Sequence, residues 1–319
     1  MNKFKDFFSI ENRTKYFLHT LVFLSILSVL FFYLLLIGER ALRREVTQVN
    51  AETPNPFDEI QIEARSAFVW DVVNQRELFS KNGDLPLPLA SLTKVMTAIT
   101  AENYIDKESR VVITEEYLKP EGDSGLLVGD SWKARDLRDF MLITSSNDGA
   151  FALASVASLM QLTNRTNAID PETLFTNKMN ELASEIGMNN SKFLNSHGLD
   201  KDADRGGAYG SARDTAILFE YALKNHAETM EATKYKSLDF RSDARIYTAT
   251  NTNVYIDEIS GIIASKTGFT DLAGGNLVIA FDAGLGRPII ISILGSSREG
   301  RFVDTKKLVE ASLKYIQED

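Results

Sequence analysis

The sequence predicts an α+β domain carried behind a single transmembrane helix. Strand-like apolar runs lie only near the two ends of residues 59–319, the stretch between them reads helical, and an almost wholly apolar segment, 17–37, precedes both. Strands at both chain ends with helices between them imply a mostly antiparallel sheet, flanked by helices, with a helical subdomain inserted.

The elements follow in order. Residues 17–37 are interrupted only by His19, Thr20, Ser25 and Ser28. About 20 such residues at ~1.5 Å rise each cross a bilayer's hydrocarbon core. Lys3, Lys5, Arg13 and Lys15 precede the segment and Arg40, Arg43 and Arg44 follow it, so charge alone leaves its orientation open. Its length, and the lack of small residues marking a cleavage site near Ile37–Arg40, favour an uncleaved signal-anchor over a cleaved signal peptide. Residues 1–16 are then a short cytoplasmic tail with no room for a domain. Residues 38–58, polar and with two prolines in 45–58, are expected to be a juxtamembrane linker. Residues 59–319 form one catalytic-size unit. Within it, 61–71 and 76–80 flank Val73-Asn74-Gln75 as a hairpin. After Pro86 and Pro88 a helix begins near Ala90, with Met96, Ile99 and Tyr104 on one face. Residues 135–160 read as two helices broken near Ser145–Gly149. A helix over 173–187 stops at Gly187, and another covers 211–225. Strands are expected at 260–266, 276–282 and 288–295, and a helix at 303–317.

Composition narrows the chemistry. The chain has 319 residues, 44% hydrophobic, with a formal net charge of -9. That is enough apolar material for a sizeable core. The acidic balance argues against a nucleic-acid partner, which needs a basic face. With no cysteine there is no disulfide or thiolate metal site. The histidines are His19, His197 and His226, too few for a multi-histidine metal centre, so a nucleophilic serine here needs a base other than imidazole. Asp200, Asp202 and Asp204 lack the spacing and closing glutamate of a calcium loop. No metal or cofactor is expected.

Three short motifs carry the chemistry. Ser91-Leu92-Thr93-Lys94 is an S-x-x-K at a helix start. The i, i+3 spacing sets Ser Oγ beside Lys Nζ, and N-terminal backbone N–H groups stand ready for an oxyanion. A lysine acts as base when burial or neighbouring cations lower its pKa. Ser145-Ser146-Asn147 is an S-x-N at the helix break, with a hydroxyl to relay a proton and an amide to hold a carbonyl or Lys94. Lys266-Thr267-Gly268 ends a strand; its cation and hydroxyl suit a carboxylate, and its glycine admits a close substrate backbone. Alone, each has a plain structural reading, such as a helix cap beside a solvated lysine. Together, in this order, they match the set shared by penicillin-binding proteins and class A β-lactamases.

On these residues the chain resembles the low-molecular-mass serine D-alanyl-D-alanine carboxypeptidases related to penicillin-binding protein 5. The likeness extends to Pro88–Ala98, Ser145–Ala150, Phe193–Asp200, Ser211–Asp214, Lys266–Thr270 and Gly274–Leu277, and runs from about Ala64 to Tyr315. It implies the β-lactamase/penicillin-binding (transpeptidase-like) fold and trimming of the terminal D-Ala from peptidoglycan stem peptides. The catalytic residues implied are Ser91 as nucleophile, Lys94 as general base, Ser145 as proton relay to the leaving D-Ala, and Asn147 as positioning group. Lys266, Thr267, Gly268 and Phe269 would hold substrate, with the Phe269 and Ser91 N–H groups as oxyanion hole. Arg213 is placed with them, either pairing a charge or helping to hold the substrate carboxylate. β-Lactams would act as covalent inhibitors, and the bilayer would be engaged through 17–37 with the catalytic domain outside the cell. The resemblance also implies that the C-terminal β-rich domain and amphipathic anchor of many relatives are missing, and that Phe269 stands where some carry His. His197 is expected to be a hydrogen-bonded loop residue and His226 a surface one; Trp70 and Trp132 are core or rim aromatics. Two rivals stand beside this reading. A class A β-lactamase would use Glu185 of Glu185-Ile186-Gly187-Met188-Asn189 for deacylation, and a non-catalytic β-lactam or wall sensor would be acylated without turnover.

Overall fold

The apolar N-terminal run folds as one long helix, α1, Ile10–Val49. The computed structural model describes residues 10–49, 55–161, 170–284 and 286–318. Of α1, Thr14–Glu39 is long and apolar enough to cross a membrane. Its hydroxyls fold back on the helix: Thr20 Oγ1 donates to the Tyr16 carbonyl, Ser25 Oγ to Val22 and Ser28 Oγ to Ser25. An apolar solvent would therefore meet these three hydroxyls with their protons already bonded. The helix extends beyond the expected span of 17–37 at both ends. Helix continues through 38–49 because ERALRREVTQV is rich in helix formers and holds no proline before Pro54. Residues 1–9 of the expected tail and 50–54 of the expected linker lie outside the described residues.

The second unit spans Pro56–Asp319. It opens with β1, Ser66–Asp71, and β2, Arg76–Lys81, paired through the turn at 72–75 as the alternating pattern predicts. A two-residue strand β3, Leu87–Pro88, leads into a 3₁₀ turn, Ala90–Leu92, and then α2, Thr93–Glu102. The insert follows: β4, Arg110–Val112, and β5, Ser131–Lys133; α3, Ala134–Thr144; α4, Asn147–Gln161; and α5, Pro171–Glu185. Asp170 accepts from Thr173 N with Pro171 just inside the helix, which starts α5 two residues before the expected 173. Short strands β6, Lys192–Phe193, and β7, Ala208–Gly210, flank the 194–207 loop. Next come α6, Ala212–Asn225, capped by Ser211, and α7, Ala227–Glu231. A hairpin absent from the sequence expectation, β8, Ser237–Arg241, with β9, Ile246–Thr250, precedes the last strands. These are β10, Ile262–Thr270, β11, Gly274–Asp282, and β12, Pro288–Ser296; α8, Gly300–Glu318, closes the chain.

The main sheet has the order β10-β11-β12-β1-β2, every pair antiparallel, so the chain's two ends share one sheet. Both of its faces are buried. Val278, Ala280, Ile290 and Leu294 face the core shared with α2, α3 and α6, while Leu277, Ile279, Ile291 and Ile293 face the core containing Leu308 and Val309 of α8. Two-sided burial explains the continuous apolar runs, and each fully buried isoleucine contributes about 1.5–3 kcal/mol. β10 is left as an edge strand, and the functional site is built along it.

Candidate active site

The nucleophile segment is forced into shape by its neighbours. Ala90 sits at φ 49, a left-handed conformation costly for a residue with a Cβ, and turns the chain from β3 into the 3₁₀ turn that holds Ser91. Asn276 of β11 donates through Nδ2 to the Pro88 and Leu89 carbonyls at 2.9 and 3.1 Å, and Leu89 N donates to Ala208 O at 2.9 Å. At Gly268 of β10, a Cβ would lie 2.9 Å from Leu89 O and 3.1 Å from Ser91 N. Only a glycine lets the edge strand run this close to the serine.

Lys94, in the first turn of α2, is fully buried. Its Nζ makes three hydrogen bonds: to Ser91 Oγ at 2.9 Å, to Asn147 Oδ1 at 2.7 Å and to the His197 carbonyl at 2.6 Å. Burial pushes its pKa well below the usual lysine value, the Lys266 cation adds to the fall, and Asp148 opposes it. A neutral Lys94 keeps two N–H bonds. With a carbonyl and an amide oxygen as pure acceptors, its lone pair is left to face the Ser91 hydroxyl.

Ser145 closes α3 in a left-handed conformation, φ 64, and α4 starts two residues later with Asn147. The break at Ser145–Gly149 is therefore a device that turns both side chains toward one place. Ser145 Oγ accepts from Lys266 Nζ at 2.9 Å. The Asn147 amide is oriented from behind: its Nδ2 donates to Glu121 O at 2.6 Å, which leaves Oδ1 for Lys94. The loop carrying Glu121 is tied down again at Ser124, whose hydroxyl bonds Ser146 Oγ and Asp148 Oδ2 at 2.7 and 2.9 Å.

Lys266 is buried and its pKa is lowered to about 7, by burial first and by the Arg301 cation second. Arg301, in the first turn of α8, donates from Nη1 to the Gly268 carbonyl at 2.8 Å, and burial brings its own pKa to about 10. The Thr267 and Thr252 hydroxyls are 2.6 Å apart. The Phe269 ring lies under the Arg298 guanidinium, 3.8 Å away. The structure thus brings together Ser91, Lys94, Ser145, Asn147, Lys266, Thr267, Gly268 and Phe269.

Arg213 is not joined to them by a hydrogen bond. It pairs with Asp84 at 2.7 Å and Glu77 at 2.9 Å and lies 4.4 Å over the Phe68 ring, so the charge-pairing alternative holds. His226 is not a surface residue either. Its Nδ1 is 2.8 Å from Glu102 Oε2 in a cluster that also ties Arg138 and Thr229 to Glu102. The His197 ring accepts from Leu199 N through Nδ1, and burial lowers its pKa to about 3, so it stays neutral and has little affinity for a proton. Trp132 is fully buried; Trp70, on the rim, donates to Glu220. Glu185 is exposed at the end of α5, where Gly187 at φ +87 stops the helix, and no hydrogen bond joins it to the cluster. Asp200 accepts from Thr270 Oγ1 and Leu272 N, bracing the turn after β10. Sequence reasoning missed the His197 carbonyl, Glu121, Ser124 and Arg301. Backbone acceptors leave no mark on residue identity. Arg301 alone had a signal, as an arginine opening the helix after β12.

A five-stranded antiparallel sheet whose edge strand flanks a serine–lysine helix is the penicillin-binding, transpeptidase-like fold. The family model described as D-alanyl-D-alanine carboxypeptidase (peptidase S11) matches residues 48–297, and the chain belongs to that family. D-alanyl-D-alanine carboxypeptidase DacF of Bacillus subtilis is 27% identical over 265 residues, covering 81% of this chain and 64% of the relative. DacA of Escherichia coli K12 is 27% identical over 278 residues, covering 81% and 62%. The chain spans less than two thirds of the length of these curated relatives. Among solved structures, the ampicillin-bound penicillin-binding protein D2 of Listeria monocytogenes has a TM-score of 0.67 and 28% identity, covering 79% of this chain and 98% of that one. A mutant of the Streptomyces K15 DD-transpeptidase, at TM-score 0.71 and 24% identity over 80% of this chain and 100% of that one, shares the fold.

Proposed function

We propose that this chain is a membrane-anchored serine D-alanyl-D-alanine carboxypeptidase that removes the terminal D-Ala from peptidoglycan stem peptides. The observation that carries the reading is the buried Lys94 bonded to Ser91 Oγ, with its other two hydrogen bonds fixed on Asn147 and His197. Neutral Lys94 takes the Ser91 proton as Oγ bonds to the carbonyl carbon of the penultimate D-Ala. The Ser91 and Phe269 N–H groups receive the oxyanion. The C–N bond to the terminal D-Ala then breaks, and the proton held by Lys94 reaches the departing amine through the Ser145 hydroxyl. Lys266, with Arg301 behind it, and the Thr267 hydroxyl hold the terminal carboxylate. Water attacks the acyl-enzyme to release the shortened peptide and restore Ser91. β-Lactams carry a carboxylate beside a strained amide and would acylate Ser91 by the same route, in keeping with the ampicillin-bound relative. Anchoring through α1 would place the domain on the outer side of the membrane, where the substrate lies.

The full chain in detergent should release free D-alanine from acyl-Lys-D-Ala-D-Ala, and Ser91→Ala should release none. A folded wild-type protein that binds fluorescent penicillin yet frees no D-alanine would move the reading to a sensor; β-lactam turnover without peptide turnover would move it to a lactamase.

A further inference from the structure

A buried carboxyl close to the catalytic lysine is left unused by the reaction above. Glu172, in the first turn of α5, accepts a hydrogen bond through Oε1 from the backbone N–H of Ser196 at 2.6 Å. The carbonyl of Ser196 accepts from Thr97 Oγ1, on the same helix as Lys94. Two successive peptide groups are thus held by side chains, and the next carbonyl along, that of His197, is the acceptor for Lys94 Nζ at 2.6 Å. Beyond it the backbone has no latitude. Gly198 sits at φ +85, where a Cβ would lie 2.0 Å from the Ala90 carbonyl, and its N–H is bound by Asn195 Oδ1.

Burial pushes the Glu172 carboxyl above its usual pKa, and the Ser196 N–H only partly offsets this. A leucine at this place would carry no such desolvation cost. Among the described residues its hydrogen-bond partner is Ser196, whose N–H lies two peptides from the acceptor of Lys94. Its position in the first turn of α5 favours a negative group, but does not require that it be buried or turned toward Ser196.

We infer that Glu172 is a positioning residue for acylation: by holding Ser196 N–H it aims the His197 carbonyl at Lys94, and so turns the lysine's lone pair to Ser91. This rests on the reading of Ser91 and Lys94 as nucleophile and base. Glu172 touches neither substrate nor the reacting atoms, so its loss acts on the chemical step and leaves substrate capture alone.

The test uses the full chain in detergent, counting competent sites by end-point labelling with fluorescent penicillin and measuring rates per competent site. Glu172→Ala should lower the acylation rate and kcat for acyl-Lys-D-Ala-D-Ala about tenfold, with KM within about twofold of wild type, as expected when a reacting group is misaimed by a fraction of an ångström. Glu172→Gln, which keeps an acceptor for Ser196 N–H, should restore most of the rate. A purely structural role would reduce the number of competent sites or the Tm and leave the rate per site unchanged, and that result overturns the inference. A Gln variant as slow as the Ala one overturns it too, because the charge rather than the acceptor would matter. Should Glu172→Ala not fold, Thr97→Val is isosteric and cuts the neighbouring bond to Ser196. The same fall is expected there, and an unchanged rate is equally fatal. Failure of the underlying reading looks different: wild type itself would not be acylated.

Discussion

Lys94 and Lys266 are both buried, the charge of the second lowers the pKa of the first, and their proposed tasks need opposite charge states. In the proposed mechanism Lys94 must be neutral to accept a proton and Lys266 charged to hold a carboxylate. Burial lowers both, and each cation is further opposed by another, Lys94 by Lys266 and Lys266 by Arg301. In the free enzyme Lys266 is cationic below about pH 7 and neutral above it. Substrate capture should therefore weaken as pH rises, so kcat/KM is expected to fall through about pH 7. A bound carboxylate favours the cation, so the alkaline limb of kcat should lie at higher pH. Steady-state pH profiles of D-alanine release check this, and coincident limbs for kcat and kcat/KM would remove Lys266 from the carboxylate site. The three motifs were legible because the chemistry fixes side-chain identity at short spacing. The His197 carbonyl was not, since any residue supplies a carbonyl, nor were the ion pairs of Arg213, because Asp84 and Glu77 lie far from it in the chain.

At the scale of the element, edge strand β10 is set against the 3₁₀ turn of Ser91 by a single missing side chain. Gly268→Ala would bring a Cβ within 2.9 Å of the Leu89 carbonyl, a backbone atom that cannot swing aside. The strand must retreat by several tenths of an ångström, away from the serine. Acylation by penicillin should slow by about a hundredfold, while the Tm changes little because β10 keeps its ladder with β11. An alanine variant acylated at the wild-type rate would mean that strand and turn can slide without cost. Helix ends were readable where the caps are strong: Ser211 caps α6 and Gly187 ends α5, both at the expected places. The β8–β9 hairpin was not read, although Ile246-Tyr247-Thr248-Ala249-Thr250 alternates exposed and buried as a strand should. Five residues are a short signal between stronger neighbours. Its reason for existing is tertiary: Tyr247 packs 4.7 Å from Trp132 and bonds Asp130.

For the whole molecule, the apolar span Thr14–Glu39 and the Pro56–Asp319 unit are separate bodies. The full chain, made in a bacterium, should stay with the membrane pellet through alkaline wash, and a version lacking residues 1–49 should move to the soluble fraction with its penicillin binding intact. Recovery of the full chain as a soluble, shortened form would instead mark a cleaved leader. The α+β class and the sheet built from both chain ends could be read from where the apolar runs fall; the strand order could not, because pairing partners leave no local trace. That order matters in time as well as space. β12 lies between β11 and β1, Ser66 pairs with Leu294, and Lys266 and Arg301 come late in the chain. If the domain is exported as proposed, a polypeptide halfway across would have delivered Ser91 and Lys94 to the far side, yet would have no third motif and no central strand to fold around. In the proposed topology a β-lactam meeting such a nascent chain would find no assembled site until residues 266–301 had emerged, a delay lengthened by the slow closure of distant strand pairs.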